Sequence, residues 1–591
     1  MAESALRDLP EWDLTDLYPG PESAELKADL ADLEERAKAF EEIFQGRIGA
    51  LDGDRLGEAV ATYEAIEELA GRIGSFSGLY YVTRLDDTEA ARFSQGIQEA
   101  LTDISAHLLF FTLEINRIPD DAFAARLASP ALAHYRPWLE EVRLFREHQL
   151  SDEAEHLLHD KSVAGRGAWM RLFDETIAGL RFTVDGETLT EEQTLSLLSD
   201  KSPDRRRKAA EALTEVFGRN ARLFALITNT LVKDKEVEDR WRKYPTPAAA
   251  RNLANQVEGE VVDALVSAVR DAYPRLSHRY YALKAKWFGV EKMPFWDRNA
   301  PLPEQDDALI PWSAATSTVI EAYGAFSPRL AEVGEKFFAN RWIDAPVKPG
   351  KQGGAFAHPT VPSAHPYLLL NYQGKTRDVT TLAHELGHGV HQVLAGPRGA
   401  LMADTPLTLA ETASVFGEML TFQAMLAQTD DPVRRKVMLA GKVEDMLNTV
   451  VRQIAFHSFE EKVHAERRGG ELTPQRLGDI WLQVQAESLG PALELTDAYR
   501  NYWCYIPHFV HTPFYVYAYA FGDCLVNSLY AVYQQTPAGF EDKYLDMLRA
   551  GGTKRHKALL APFGLDASDP AFWQKGLSVI SGMIDELERL G

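Results

Sequence analysis

Apolar residues recur at spacings of three and four along much of this chain, with charged residues opposite them, at 23–46, 54–75, 88–117 and 203–240. That period is helical, so the pattern predicts a mainly α protein. Strand signals are few. Phe182 to Leu189 reads as a short hairpin turning at Val184-Asp185-Gly186-Glu187. Tyr367 to Tyr372 is strand-compatible, follows a glycine-rich turn, and leads through Gln373-Gly374 into another helical pattern. Proline-rich breaks at 293–313 and 343–366 flank this small sheet. Neither a low-complexity tract nor a convincing repeat is present.

The helix after that strand carries the densest chemistry. Leu382, Ala383, Leu386, Val390 and Leu394 fall on one apolar side, and Asp378 stands where it caps the helix start. Within it lies His384-Glu385-Leu386-Gly387-His388. Histidines at i and i+4 share a helix face and can hold one metal ion, while the intervening glutamate points toward a water on that ion. Zinc held this way takes a third protein ligand and leaves its fourth position open. Gly387 and Gly389 each cost about 1 kcal/mol relative to Ala in a helix. They predict that something approaches the helix backbone closely.

The third ligand is sought downstream. Asp404-Thr405-Pro406 reads as a helix start, with Thr405 as N-cap and Pro406 as the first helical residue. Glu411, Ser414 and Glu418 then share one face of an otherwise apolar helix. A buried carboxylate is costly unless paired or metal-bound. Glu411 is therefore read as a zinc ligand and Glu418 as the acceptor that orients a ligand histidine. The competing reading pairs Glu411 with Thr408 in a capping box, but Pro406 implies that the helix has already begun. The other histidine groups, His156 and His159 with Asp160, and His457 and His464 near Glu460 and Glu461, are expected on solvated helix faces. The same is expected of the basic run Arg205-Arg206-Arg207-Lys208. Lys351-Gln352-Gly353-Gly354 lacks the order of a phosphate-binding loop.

Composition narrows the classes. With 45% hydrophobic and 25% charged residues among 591, the chain has the make-up of a soluble globular protein. A net charge of −24 argues against nucleic acid as a partner. Met1 to Pro21 is polar and acidic without an apolar signal core, and no apolar run is long enough for a bilayer span, so no membrane association is expected. Cys504 and Cys524 alone make no disulfide framework. A cytoplasmic enzyme is expected, and the oligomeric state stays open.

Several stretches together resemble the thimet oligopeptidase (M3) family of zinc metallopeptidases, and its oligoendopeptidase F branch in particular. They are Gly350 to Phe356, His365-Pro366-Tyr367-Leu368-Leu369-Leu370-Asn371-Tyr372, the T-L-A-H-E-L-G-H run ending at His388, and Phe295-Trp296-Asp297-Arg298-Asn299-Ala300-Pro301. Ile506-Pro507-His508-Phe509, Pro513-Phe514-Tyr515-Val516-Tyr517, Asp569 to Trp573 and Met583 to Leu587 extend it. The likeness spans nearly the whole chain and is strongest from about residue 200 onward. It implies two helical lobes around a deep channel that admits short flexible peptides, with a small β-sheet next to the zinc-site helix. It also implies an N-terminal helical region at 1–200 that includes an oligoendopeptidase F-like domain at about 115–190, and a catalytic region at 201–591. One Zn²⁺ on His384, His388 and Glu411 is implied, with Glu385 as base. Of the candidates His508, His511, Tyr515, Tyr517 and Tyr519, the resemblance puts a histidine and tyrosines over the substrate carbonyl, and the closest matches by motif are His508 and Tyr515, with Tyr519 next. The 367–372 strand is expected to present an edge to an extended peptide. The expected activity is hydrolysis of internal bonds in short unstructured oligopeptides. The alternatives are release of C-terminal dipeptides, or peptide binding without turnover.

Overall fold

Helices dominate the computed structural model, which describes residues 9–303 and 309–591. The first eight residues of the polar N-terminus lie outside the described residues, as do the side chains of His156, His159 and Asp160. The chain divides into two compact units that do not follow its order. The first comprises Met1–Arg146, Asp307–Gln428 and Val532–Gly564, and the second Glu147–Asp306, Thr429–Ala531 and Leu565–Gly591.

The first unit starts with helices Ala24–Phe44, Gly53–Val82, Thr88–Ala106 and Phe110–Arg117. The predicted 88–117 helix is thus broken at His107–Leu109, and the one predicted at 54–75 runs on to Val82. Leu33, Phe40, Phe76, Phe111 and Leu139 fill the core between them. A three-stranded sheet lies against that core. Its central strand, Tyr367–Leu369, pairs in parallel with Ile343–Asp344 and antiparallel with Phe356–His358. Strand side chains alternate between faces. Tyr367 and Leu369 join the N-terminal core, while Leu368 faces the helix Thr376–Ala395 at Gly389. The expected edge is therefore misplaced. Tyr367–Leu369 is interior and buried throughout, and Phe356–His358 is an edge strand.

The glycine-rich loop leading to that edge is tied down. Buried Lys351 donates from Nζ to the Asp344 carboxylate (2.6 Å) and to the carbonyls of Pro346 (2.8 Å) and Leu370 (2.6 Å). Asn371 donates to the carbonyls of Gln352 (2.9 Å) and Gly354 (2.8 Å). The lysine holds protein oxygens, as the missing phosphate-loop order led one to expect.

In the second unit the long helix Pro203–Trp241 packs with Val451–Arg467 and Pro474–Leu489 around Phe217, Phe224, Phe456 and Trp481. The hairpin forms as predicted, with Phe182–Val184 against Glu187–Leu189 and positive φ at Asp185 and Gly186 in the turn. Two expectations of solvated faces fail. Arg206 is buried, donating to Asp297 Oδ1 (2.7 Å) and the Asp200 carbonyl (2.7 Å), while Arg205, Arg207 and Lys208 make more exposed ion pairs. His457, Glu460 and His464 are likewise buried, because Val451–Arg467 also buries Ile454, Phe456, Phe459 and Val463 and is enclosed on most sides. Only Glu461 reaches solvent, 3.6 Å from His457 Nε2.

Candidate active site

The histidine motif rides on the helix Thr376–Ala395. Asp378 sits in its first turn and accepts from the backbone N–H of Lys375 (2.9 Å) and Gln373 (2.8 Å), closing the helix start. Leu382, Ala383, Leu386, Val390 and Leu394 are buried, as their spacing predicts. The second helix begins one residue later than expected, at Leu407–Ala427. Pro406 is its extended N-cap, with ψ 147°, and its carbonyl accepts from Leu409 (2.8 Å) and Ala410 (3.0 Å). Thr405 stands outside the helix.

The two helices meet at Gly387. A Cβ there would lie 2.5 Å from the carbonyl oxygen of Ala413 and 2.6 Å from Cα of Ser414, closer than any real contact. At Gly389 the atom in the way is Phe337 Cζ, at 2.6 Å. Tyr323 wedges the same pair. Its hydroxyl donates to the Ala383 carbonyl at 2.6 Å, and a Cβ at Gly417 would clash with it at 2.1 Å. Nothing in the sequence pattern singles out Tyr323 or Gly417.

This close approach brings the polar face of one helix to the other. His384 Nε2 lies 3.3 Å and His388 Nε2 3.5 Å from Glu411 Oε2. Among the described residues, His384, His388 and Glu411 form a group whose ligand atoms all lie within 4.8 Å of one another. Ser414 Oγ donates to the same Glu411 oxygen at 2.7 Å, and with Pro406 as the N-cap Thr408 lies inside the helix, so Glu411 is not its capping-box partner. The His384 ring is fixed from behind, with Nδ1 3.0 Å from Glu418 Oε2. With Nδ1–H given to Glu418, His384 turns the lone pair of Nε2 toward a carboxylate oxygen, an arrangement that needs a proton or a cation between them. The titration behaviour agrees. Burial opposes the charged form of His384, yet its hydrogen bonds to the Glu411 and Glu418 carboxylates hold it well above the usual imidazole range. Burial also opposes the charged form of Glu411, but the His384 hydrogen bond and both imidazoles hold the carboxylate well below its usual range. His388 is pushed down to about 4, chiefly by burial. Two imidazole nitrogens and one carboxylate oxygen, with Glu418 behind the first imidazole, are a donor set and surround that suit a zinc site.

Glu385 is not part of that group. It is buried, and burial pushes its carboxyl up to about 7, with Glu411 and Glu418 adding to the shift and His384 opposing it. The Ala357 backbone, in the edge strand Phe356–His358 that packs against the helix carrying Glu385, draws the carboxyl down. The helix of the base candidate thus lies against the sheet edge.

The aromatic candidates lie in the second unit. His508, Tyr515 and Tyr519 are half-buried and face one another. His508 Nε2 is 3.2 Å from the Tyr519 hydroxyl, and the Tyr515 ring is 5.9 Å from His508 and 5.1 Å from Tyr519. Arg251 sits 5.9 Å over the Tyr515 ring. The other two candidates part from this group. Tyr517 is buried, its hydroxyl accepting from Asn255 (2.9 Å), and His511 pairs with Asp174 (2.8 Å).

Comparison with known proteins identifies the lineage. The model of peptidase family M3 matches residues 196–579, and a second, described as oligopeptidase F, matches 114–182. Oligopeptidase PepF of Bacillus subtilis is 25% identical over 98% of this chain and 87% of its own length. Among solved structures, one from Chlamydophila abortus has a TM-score of 0.86 at 22% identity, covering 98% of each chain. The oligoendopeptidase-F of Enterococcus faecium has 0.74 at 22%, covering 96% of this chain and 98% of its own. With well over half of its length matched by the family model, and with a mainly helical fold shared with those structures, the chain belongs to peptidase family M3 and is a metalloendopeptidase.

Proposed function

We propose that this protein is a zinc-dependent endopeptidase that hydrolyses internal bonds of short unstructured oligopeptides. The observation that carries the reading is the convergence of His384, His388 and Glu411 within 4.8 Å beside the buried Glu385. The first three would hold one Zn²⁺. When bound, the ion supplies Lewis acidity, polarising the scissile carbonyl and acidifying water. Glu385 takes the proton from the attacking water and passes it to the leaving amine. Its raised affinity for protons suits both halves of that task. Glu418 keeps the His384 imidazole oriented. The resemblance adds His508, Tyr515 and Tyr519 as the groups that steady the oxyanion.

The edge strand Phe356–His358 replaces the interior strand as the segment that pairs with an extended substrate, and its packing against the helix that carries Glu385 supports it. Backbone pairing of this kind asks for an unfolded peptide and reads little side-chain sequence. The oligopeptidase and oligoendopeptidase names of the relatives fit it. A reducing, cytoplasmic setting fits Cys504 and Cys524, both buried and free. Among the described residues no helix is long and apolar enough to cross a membrane.

The test is a digest of short peptides, blocked at the N-terminus and free at the C-terminus, read by mass spectrometry with and without chelator. Internal cleavages that vanish on chelation and return with zinc are expected. Products limited to C-terminal dipeptides would replace the endopeptidase reading with the carboxypeptidase one. A zinc-loaded chain that binds peptides without cutting them would leave a binding protein.

A further inference from the structure

His508, Tyr515 and Tyr519 are brought together by a backbone corner that a sequence of this kind seldom adopts. The short helix His508–His511 ends, and the helix Tyr517–Gln535 begins, on either side of Phe514. Phe514 has φ +60°, in the left-handed region that bulky side chains rarely enter. Such a conformation persists only where its surroundings over-determine it. Two groups do so here. The Phe514 ring is fully buried, 4.8 Å from His464 and 5.7 Å from His457. Its backbone N–H donates to Oε1 of Glu460 at 2.8 Å.

Glu460 is a costly residue to keep in that place. It is 2% exposed, and its second oxygen has no hydrogen-bond partner. Burial pushes the carboxyl up to about 8; the Phe514 N–H, Arg251 and Lys235 pull it down and Glu461 raises it. At neutral pH it is mostly the uncharged acid. A buried carboxyl with one oxygen unused does little for stability, and an apolar side chain would fill the space at lower cost. What the carboxyl contributes that an apolar group cannot is a fixed acceptor for one particular N–H.

We propose that Glu460 is a positioning residue, whose carboxyl holds the Phe514 N–H and so sets the left-handed corner that turns Tyr515 and Tyr519 toward His508. The inference rests on the reading of those three side chains as the groups that steady the oxyanion. Glu460 itself touches none of them through any bond seen here. It acts through the chain.

Three variants separate this from a merely structural contribution. Glu460→Gln keeps an acceptor at the same reach, Glu460→Leu removes it, and Glu460→Asp keeps the carboxyl one methylene short. Each is assayed for kcat and KM on a quenched fluorogenic peptide that the wild type cleaves, with zinc content and thermal unfolding measured alongside. Glu460→Gln is expected within about threefold of wild type. Glu460→Leu and Glu460→Asp are expected to lose at least about 30-fold in kcat, with KM within about threefold and zinc retained. In a Tyr515→Phe/Tyr519→Phe background the Glu460→Leu loss should shrink below about threefold, because the groups it positions are gone.

A folded Glu460→Leu protein with wild-type kcat overturns the proposal. So does a loss that is undiminished in the double-tyrosine background, or a Gln variant as damaged as the Leu one. If Glu460→Leu fails to fold, Glu460→Asp carries the same test. Wild-type kcat in His508→Ala, Tyr515→Phe and Tyr519→Phe would overturn the underlying reading and this proposal with it. Damage in those three with silence in the Glu460 variants overturns the positioning proposal alone.

Discussion

In the first unit, His384, His388 and Glu411 stand on two uninterrupted helices, and regular spacing decides which atoms meet. In the second, His508, Tyr515 and Tyr519 meet across a break between two helices, and one left-handed residue decides where they point. The helix pair needs glycine at its crossing, so that backbone can touch backbone. The aromatic corner carries phenylalanine where glycine would be at ease, and a buried glutamate holds it there. Periodic elements deliver geometry from local rules. An irregular corner delivers it only with help from residues about 50 positions away.

The difference explains what the sequence revealed. The i, i+4 histidines, the i, i+7 pair Glu411 and Glu418, and Gly387 at the close crossing are legible, because each is a statement about helix faces. Thr405 was misread as the cap because Pro406 suits both the N-cap and the first helical position. The substrate-side strand was misassigned because β-compatibility does not say whether a strand lies inside or at the edge of a three-residue-deep sheet. Arg206, His457 and Glu460 were read as solvated because charged residues usually are. Only tertiary packing encloses them. Tyr323, wedged against Gly417, left no trace in any periodicity.

The comparison can be broken most forcefully at the helix crossing. Gly387→Ala should destabilise by about 1–3 kcal/mol and weaken metal binding, even though Ala is the better helix former. Gly441→Ala, at an open position of the helix Pro432–Thr449, should instead stabilise by about 0.5–1 kcal/mol. Thermal unfolding and a competitive metal titration check both, and equal effects at the two glycines would deny that the helices must touch. Next in size is Glu418→Gln, expected to weaken zinc affinity by about 10- to 100-fold while the fold persists. An unchanged affinity would reduce Glu418 to a bystander of His384.

A smaller effect sharpens the other side of the comparison. Glu460 is held near 8 in the folded chain, above its ordinary 4.5. A carboxyl raised on folding favours the folded state while protonated. That contribution is complete below about 4.5 and is lost as pH rises through 8. The Tm of the wild type should therefore fall relative to that of Glu460→Gln between pH 5 and 8, in calorimetry at matched ionic strength. Parallel Tm curves would mean that Glu460 is already ionised in its pocket. The smallest effect belongs to Thr405→Ala. With Pro406 as N-cap, the change should cost no more than about 0.5 kcal/mol in chemical denaturation, whereas loss of a true cap costs about 1 kcal/mol.

The central claim is that this chain's own helices hold zinc beside a glutamate base, and Glu385→Gln tests it most directly when zinc stoichiometry and peptide turnover are measured on the same preparation. The account predicts one zinc per chain, as in the wild type, with turnover lowered by about 10²- to 10⁴-fold. Cleavage near the wild-type rate by the zinc-loaded variant would contradict it.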